Sequence, residues 1–313
     1  MFLTRSTALA ISKIMSPQQP PAQMFDRNLI STRLARAERI GFADFLVVRA
    51  ADDLGQRLGA ITRGFPVAVD LGTPTDAAWR VIAARQGTEV ACRAAPAGAG
   101  GVYMLKADEE AVPFADRSVG LVTSLLSLQT VNDLPGALVQ IRRALQPDGL
   151  FIGCLFGGAT LTELRQALAE AESEMDGGIS PRVAPFADVR DMGGLLQRAG
   201  FTMPVADLES VTVRYRHPLA LLHDLRAMAL TNALVARRRV PLRRSTLLRA
   251  LAIYAERFSD PDGKVRATFE MIWLSGWSAH ESQQKPLRPG SAKARLADAL
   301  GSVENSTGEK AGG

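Results

Sequence analysis

From residue 25 to residue 62 the apolar positions Leu29, Leu34, Ala37, Ile40, Phe42 and Phe45 recur at roughly helical spacing, with arginines between them. That predicts a helical lead-in. The pattern then shortens. Phe65 to Leu71 reads as a strand carrying Asp70 at its end, Ala77 to Gln86 as a short helix, and Glu89 to Ala94 as a second strand. The glycines in residues 98–101 predict a turn. Val119 to Leu128, VGLVTSLLSL, is almost continuously apolar, as expected of a strand covered on both faces of a parallel sheet. Leu134 to Leu145 is amphipathic and ends at QPDG, residues 146–149, where Asp-Gly signals a turn. Leu150 to Phe156 is the next apolar strand. Thr160 followed by Glu163 predicts a helix opened by a capping box. Phe186 to Ala199 reads as a helix stopped by Gly200, and Val211 to Arg216 as an alternating strand.

Strands alternating with helices predict an α/β fold with a mostly parallel sheet and helices on both faces. In such sheets ligands bind beyond the carboxyl ends of the strands, where the strand order reverses. From His217 the chain turns helical and arginine-rich, giving a basic helical appendage whose charges read as a solvated face or a grip for an acidic partner. The expected organisation is a disordered leader over 1–23, a Rossmann-like domain over 24–216, a helical segment over 217–285 packed on that domain, and a mobile polar tail over 286–313.

Composition narrows the classes. The chain has 313 residues, 47% apolar and 22% charged, enough for a sizeable core. A net charge of +5 is diffuse rather than clustered, which argues against nucleic acid as a partner. Two cysteines, Cys92 and Cys154, and three histidines show no metal-ligand spacing and no disulfide framework. No apolar run is long enough for a membrane span. The first residues carry Arg5, Lys13 and several hydroxyls with no acid before Asp26. They read as a bacterial leader in a cytoplasmic protein, or as a transit peptide to the mitochondrial matrix.

The chemistry concentrates in VAVDLGTPTDAAW, Val67 to Trp79: a strand, an acid, Leu-Gly, then a turn into a helix. With the order of elements, this resembles the class I S-adenosylmethionine methyltransferases. The segments MFDRNL (24–29), ADEEAVPFADRS (107–118), SLLSLQTVNDLPGALVQIRRALQPDGLFIG (124–153), FGGATLTELRQAL (156–168) and GWSAHESQQKPLRPGSA (276–292) carry a closer resemblance. They are similar to the family of NADH:ubiquinone oxidoreductase complex assembly factor 5 and its alphaproteobacterial relatives. A carrier-protein O-methyltransferase family is a more distant relative. The resemblance implies S-adenosylmethionine as cofactor, and Asp70, Gly72, Asp108, Glu109 and Gln129 as its contacts. It implies a subunit of the NADH:ubiquinone oxidoreductase as partner. It also brings in an arginine-hydroxylating activity described for that family.

The chain departs from the family pattern on the cofactor side. Where the family has DLGCGxG it has DLGTPTD, so Pro74 and Asp76 replace glycines. Proline has a fixed φ and no N–H to offer. The acid expected at the end of the second strand is absent, with Arg93, Ala94 and Ala95 there instead. Gly120 stands for an aspartate in the fourth strand, and Gln129 and Thr130 for a His-Trp pair. The expectation is therefore a methyltransferase-fold protein of complex I assembly with a weakened cofactor site, or, alternatively, a non-catalytic assembly factor that binds a complex I subunit.

Overall fold

The computed structural model describes residues 23–96 and 104–283. The expected leader before residue 23, the turn at 98–101 and the tail from 286 lie outside the described residues. The described residues to Ala279 form one compact unit, and those from His280 fall outside it.

The lead-in is two helices, α1 (Arg27–Ile40) and α2 (Phe45–Gly59). Gly41 divides them at φ +91°, a conformation that suits glycine. There follow β1 (Val67–Leu71), α3 (Ala77–Ala83), β2 (Val90–Ala95), β3 (Met104–Lys106) and β4 (Val119–Leu125). Next come α4 (Leu134–Ala144), β5 (Leu145–Phe156), α5 (Thr162–Asp176), α6 (Val189–Arg198) and β6 (Thr202–Tyr215). The compact unit is completed by α7 (Pro218–Ala227), α8 (Arg244–Phe258) and β7 (Val265–Trp277). The seven strands lie in the order β3-β2-β1-β4-β5-β7-β6. The first five are parallel, and β7 runs antiparallel to both of its neighbours. This is the Rossmann-like α/β fold that the alternation predicted.

Every residue of β4 is buried, which is why its sequence shows no alternation. On one face α2, α3, α5, α7 and α8 cover the sheet with Leu54, Ile82, Leu164, Leu225 and Ile253. On the other, α4 and α6 pack Leu138, Ile141 and Leu196. β7 feeds both layers: Met271 and Trp273 face the first, Ile272 and Leu274 the second.

Four expectations are corrected. The segment from His217 is not helical throughout: β7 lies in it. Val265, Ala267, Phe269 and Met271 alternate as buried positions after the tight turn at Gly263, φ +79°. Asp-Pro-Asp-Gly at 260–263 was the available turn signal. β6 begins at Thr202, well before Val211, because it pairs with β7 along its length. The capping box at Thr160 does not form. Thr160 Oγ1 instead donates to Glu270 O (3.1 Å), and Glu163 accepts from the Thr268 N–H (3.1 Å), so both bind α5 to β7. The helix before QPDG ends at Ala144 as expected, but QPDG is not a free turn: it lies inside β5, where the register against β4 shifts after Val119.

Trp273 is 1% exposed at the centre of β7, with the Arg57 guanidinium 4.3 Å above its ring. Trp273→Ala should cost about 3–5 kcal/mol of stability in urea unfolding. A loss below about 1 kcal/mol would mean that β7 does not anchor the sheet.

Candidate functional site

The strand order turns back between β1 and β4, so their carboxyl ends open a crevice there. Gly72 closes β1 at φ +78°, and its N–H donates to Ala94 O at 2.7 Å. A Cβ added at Gly72 would collide with the Glu109 carboxylate and the Ser127 hydroxyl. Glycine is required by both the backbone and the close approach.

Asp70 lies beneath this turn and is wholly buried. The Thr73 hydroxyl donates to its Oδ1, and Thr73 Oγ1 accepts from the Leu125 N–H at 3.0 Å. Arg93, its cross-strand partner on β2, donates from Nη2 to Thr73 O at 3.0 Å, with Nε 3.8 Å from Asp70 Oδ2. Burial pushes the Asp70 carboxyl up to about 7, against the opposing pull of Thr73 and Arg93. Asp70 and Arg93 thus brace the loop from below. Asp76 turns outward, its Oδ2 taking the Arg80 Nε–H at 2.9 Å.

The chain before α1 lies across the crevice as a strap. Asn132 clasps its backbone twice: Oδ1 accepts from the Phe25 N–H (2.7 Å) and Nδ2 donates to Phe25 O (3.2 Å). The other side of the strap pairs with residues 233–235, through Asp26 N–H to Ala233 O and Val235 N–H to Met24 O, both 2.9 Å. Arg27, the first residue of α1, reaches into the crevice. Its Nη2 binds Asp108 Oδ1 at 2.7 Å and also the Glu109 carboxylate, while Nη1 donates to Thr130 Oγ1 at 3.2 Å. Glu109 is 3% exposed. Burial holds its carboxyl above the usual range, with Arg27 opposing.

A cavity of about 290 Å³ runs inward from this point. Its neck is Arg27, Gly72, Pro74, Glu109, Ser127 and Gln129. Its interior is apolar, from Phe156 at the end of β5 and from α5, α7 and α8. Of the expected cofactor contacts, Gly72, Glu109 and Gln129 come together at the neck. Asp70 lies below it, and Asp108 stands outside the lining, half-exposed on Arg27. Arg27 and Asn132 join them from outside the expected contacts. Arg27 stands in MFDRNL, one of the segments carrying the resemblance. Among the described residues no group of His, Cys, Asp and Glu could hold a metal ion.

Residues 67–153 match a family model described as a methyltransferase domain. Over its whole length the chain is similar to human "Arginine-hydroxylase NDUFAF5, mitochondrial", 35% identical over 96% of this chain and 90% of that protein. The zebrafish (Danio rerio) protein of the same name is 46% identical over 61% of this chain and 60% of its own length. A malonyl-[acyl-carrier protein] O-methyltransferase of Halorhodospira halophila is 35% identical over 84% of this chain and 92% of that protein.

The raised Asp70 pKa carries a signed consequence. Between 3.8 and about 7 the folded chain holds a proton that the unfolded chain releases, so stability falls as pH rises through that window. Between about pH 4.5 and 7.5 the wild type should lose on the order of 2–4 kcal/mol more than Asp70→Asn in paired unfolding titrations. Parallel curves would show Asp70 ionised beside Arg93.

Proposed function

This chain belongs to the methyltransferase-domain family of the NDUFAF5 proteins, and on that premise we propose a role in the assembly of the respiratory NADH dehydrogenase with a cofactor end weakened by its own side chains. The domain and its relatives imply S-adenosylmethionine as cofactor. The proposed partner is a subunit of that dehydrogenase. The NDUFAF5 relatives are mitochondrial by name. The compartment proposed here is the bacterial cytoplasm, with the mitochondrial matrix as the alternative. Among the described residues no helix is long and apolar enough to cross a membrane.

The observation that carries the weakened site is the Arg27–Glu109 pair over Gly72. A glycine at this turn leaves a hollow against which a ligand's polar end can lie. Here the hollow is filled by the Glu109 carboxylate and the Ser127 hydroxyl. At the end of β2, where a ribose would need an acceptor, stand Ala94 and Ala95, both buried. Arg93 is turned back onto Thr73 and Asp70. As they stand, these residues do not fit S-adenosylmethionine. The same filled hollow favours the second reading, a non-catalytic assembly factor whose pocket and basic helices serve binding.

Calorimetric titration with S-adenosylmethionine separates these readings. The wild type should bind more weakly than about 100 μM, and Glu109→Ala, which empties the hollow while leaving Arg27 on Asp108, should bind about tenfold tighter, or 1.4 kcal/mol. Micromolar binding by the wild type that Glu109→Ala weakens would make Glu109 a cofactor contact and sink the weakened-site reading. No heat at millimolar ligand with either protein would leave the non-catalytic reading alone. Deletion of the gene should deplete assembled NADH dehydrogenase on native gels, and an undiminished complex would overturn the assembly role.

A further inference from the structure

Residues 235–249 carry six arginines, Arg237, Arg238, Arg239, Arg243, Arg244 and Arg249, with no lysine and no acid among them. Three carboxylates answer them. Asp26 takes Arg237 at 3.1 Å and Glu174 takes Arg249 at 2.6 Å. Asp176, the last residue of α5, is shared. Arg238 Nη1 lies 3.6 Å from its Oδ2, Arg243 Nη1 lies 3.4 Å from its Oδ1, and the Thr246 hydroxyl donates to Oδ1 at 3.3 Å. Arg239 and Arg244 are exposed, and among the described residues no carboxylate lies within ion-pair reach of either.

The knot at Asp176 pins the loop before α8 to the end of α5, and apolar side chains stand exposed around it. Val240 is 61% exposed and Ile179 66%, and Met175, Val235 and Leu248 are exposed as well. Each lies within three residues of Asp176, Arg238, Arg243 or Thr246. Pro241 holds Val240 out of a helical turn. Exposed apolar residues bordered by charge mark an interaction surface. A backbone already fixed by the knot lowers the ordering cost of binding there.

Charge and composition select the partner. The uncompensated guanidiniums call for an anion, and their planar forks fit carboxylates two bonds at a time. Arginine and methionine are enriched at protein–protein contacts and lysine is depleted, which is the composition here. A helix that lies on a bilayer sets an apolar stripe with aromatic residues along its own length. These apolar residues come instead from the end of one helix, a loop and the start of another, and none is aromatic. A nucleic acid strand would find no ring to stack on and would strand the apolar side chains against phosphate.

We propose that the end of α5, the 235–245 loop and the start of α8 form a docking surface for an acidic segment of a protein partner, with its carboxylates on Arg239 and Arg244 and its aliphatic side chains on Val240 and Ile179. None of these four residues lines the cavity, so the surface serves a catalytic and a non-catalytic protein alike.

The test uses the full-length protein in its own cells, with the photocrosslinker p-benzoylphenylalanine substituted at Val240, at Ile179, or at Val139, which is exposed on α4 across the sheet. Val240 and Ile179 should yield the same protein adduct, its joined peptide rich in Asp and Glu, and Val139 should not yield it. Arg239→Glu combined with Arg244→Glu should cut that adduct about tenfold while the urea midpoint stays in place. Adducts with phospholipid or nucleic acid, a joined segment that is neutral or basic, an adduct indifferent to the charge reversal, or no adduct would overturn the proposal. The crosslinks of the charge-intact protein stand whether or not the reversed variant folds. An acidic adduct on a protein outside the NADH dehydrogenase would support this surface and overturn the dehydrogenase as partner.

Discussion

The guanidinium of Arg27 holds the upper half of the molecule together. At 16% side-chain exposure it has lost most of its water, and a charge so buried persists only when paired and hydrogen-bonded. Its partners are three residues from two places in the chain: Asp108 and Glu109 after β3, and Thr130 after β4. Meeting them fixes the start of α1, hence the strap, hence the roof of the cavity. Breaking one arm would strand a buried carboxylate at Glu109 rather than merely lose an ion pair.

Below that cluster the sheet does the positioning. The reversal of strand order between β1 and β4 leaves a crevice, and β7, inserted antiparallel between β5 and β6, puts Met271 and Trp273 in the same apolar layer as Phe156, which lines the cavity. The start of α5, a helix that lines the cavity, is held to β7 through Thr160 and Glu163. A helix with an ordinary capping box at that point would have had no such tether. Its acid has been spent on tertiary structure instead of on its own N-terminus.

The parallel half of the fold was legible because buried parallel strands announce themselves: VGLVTSLLSL and VAVDL have few other homes. β7 was not read, although Val265 to Met271 alternates, because a long helical, arginine-rich stretch preceded it and the segment was taken as one piece. β6 is longer than its alternation suggests because Met203, Val205 and Leu208 are exposed on an edge strand, where apolar residues blur the pattern. At the site, Gly72 and Glu109 could be placed from motif position alone. That Glu109 fills the hollow at Gly72 could not, since it depends on Arg27 arriving from more than eighty residues upstream. Asp70 could be placed at a strand end, but its burial against Arg93 needed the register of β1 on β2.

The exchange of an acid for Arg93 has one more consequence. In a loop shaped by its ligand, binding energy and folding energy are shared, so the amount of folded protein rises and falls with the supply of the ligand. Here Asp70, Thr73 and Arg93 lock the β1 turn with the chain's own atoms. The turn holds its shape without an occupant.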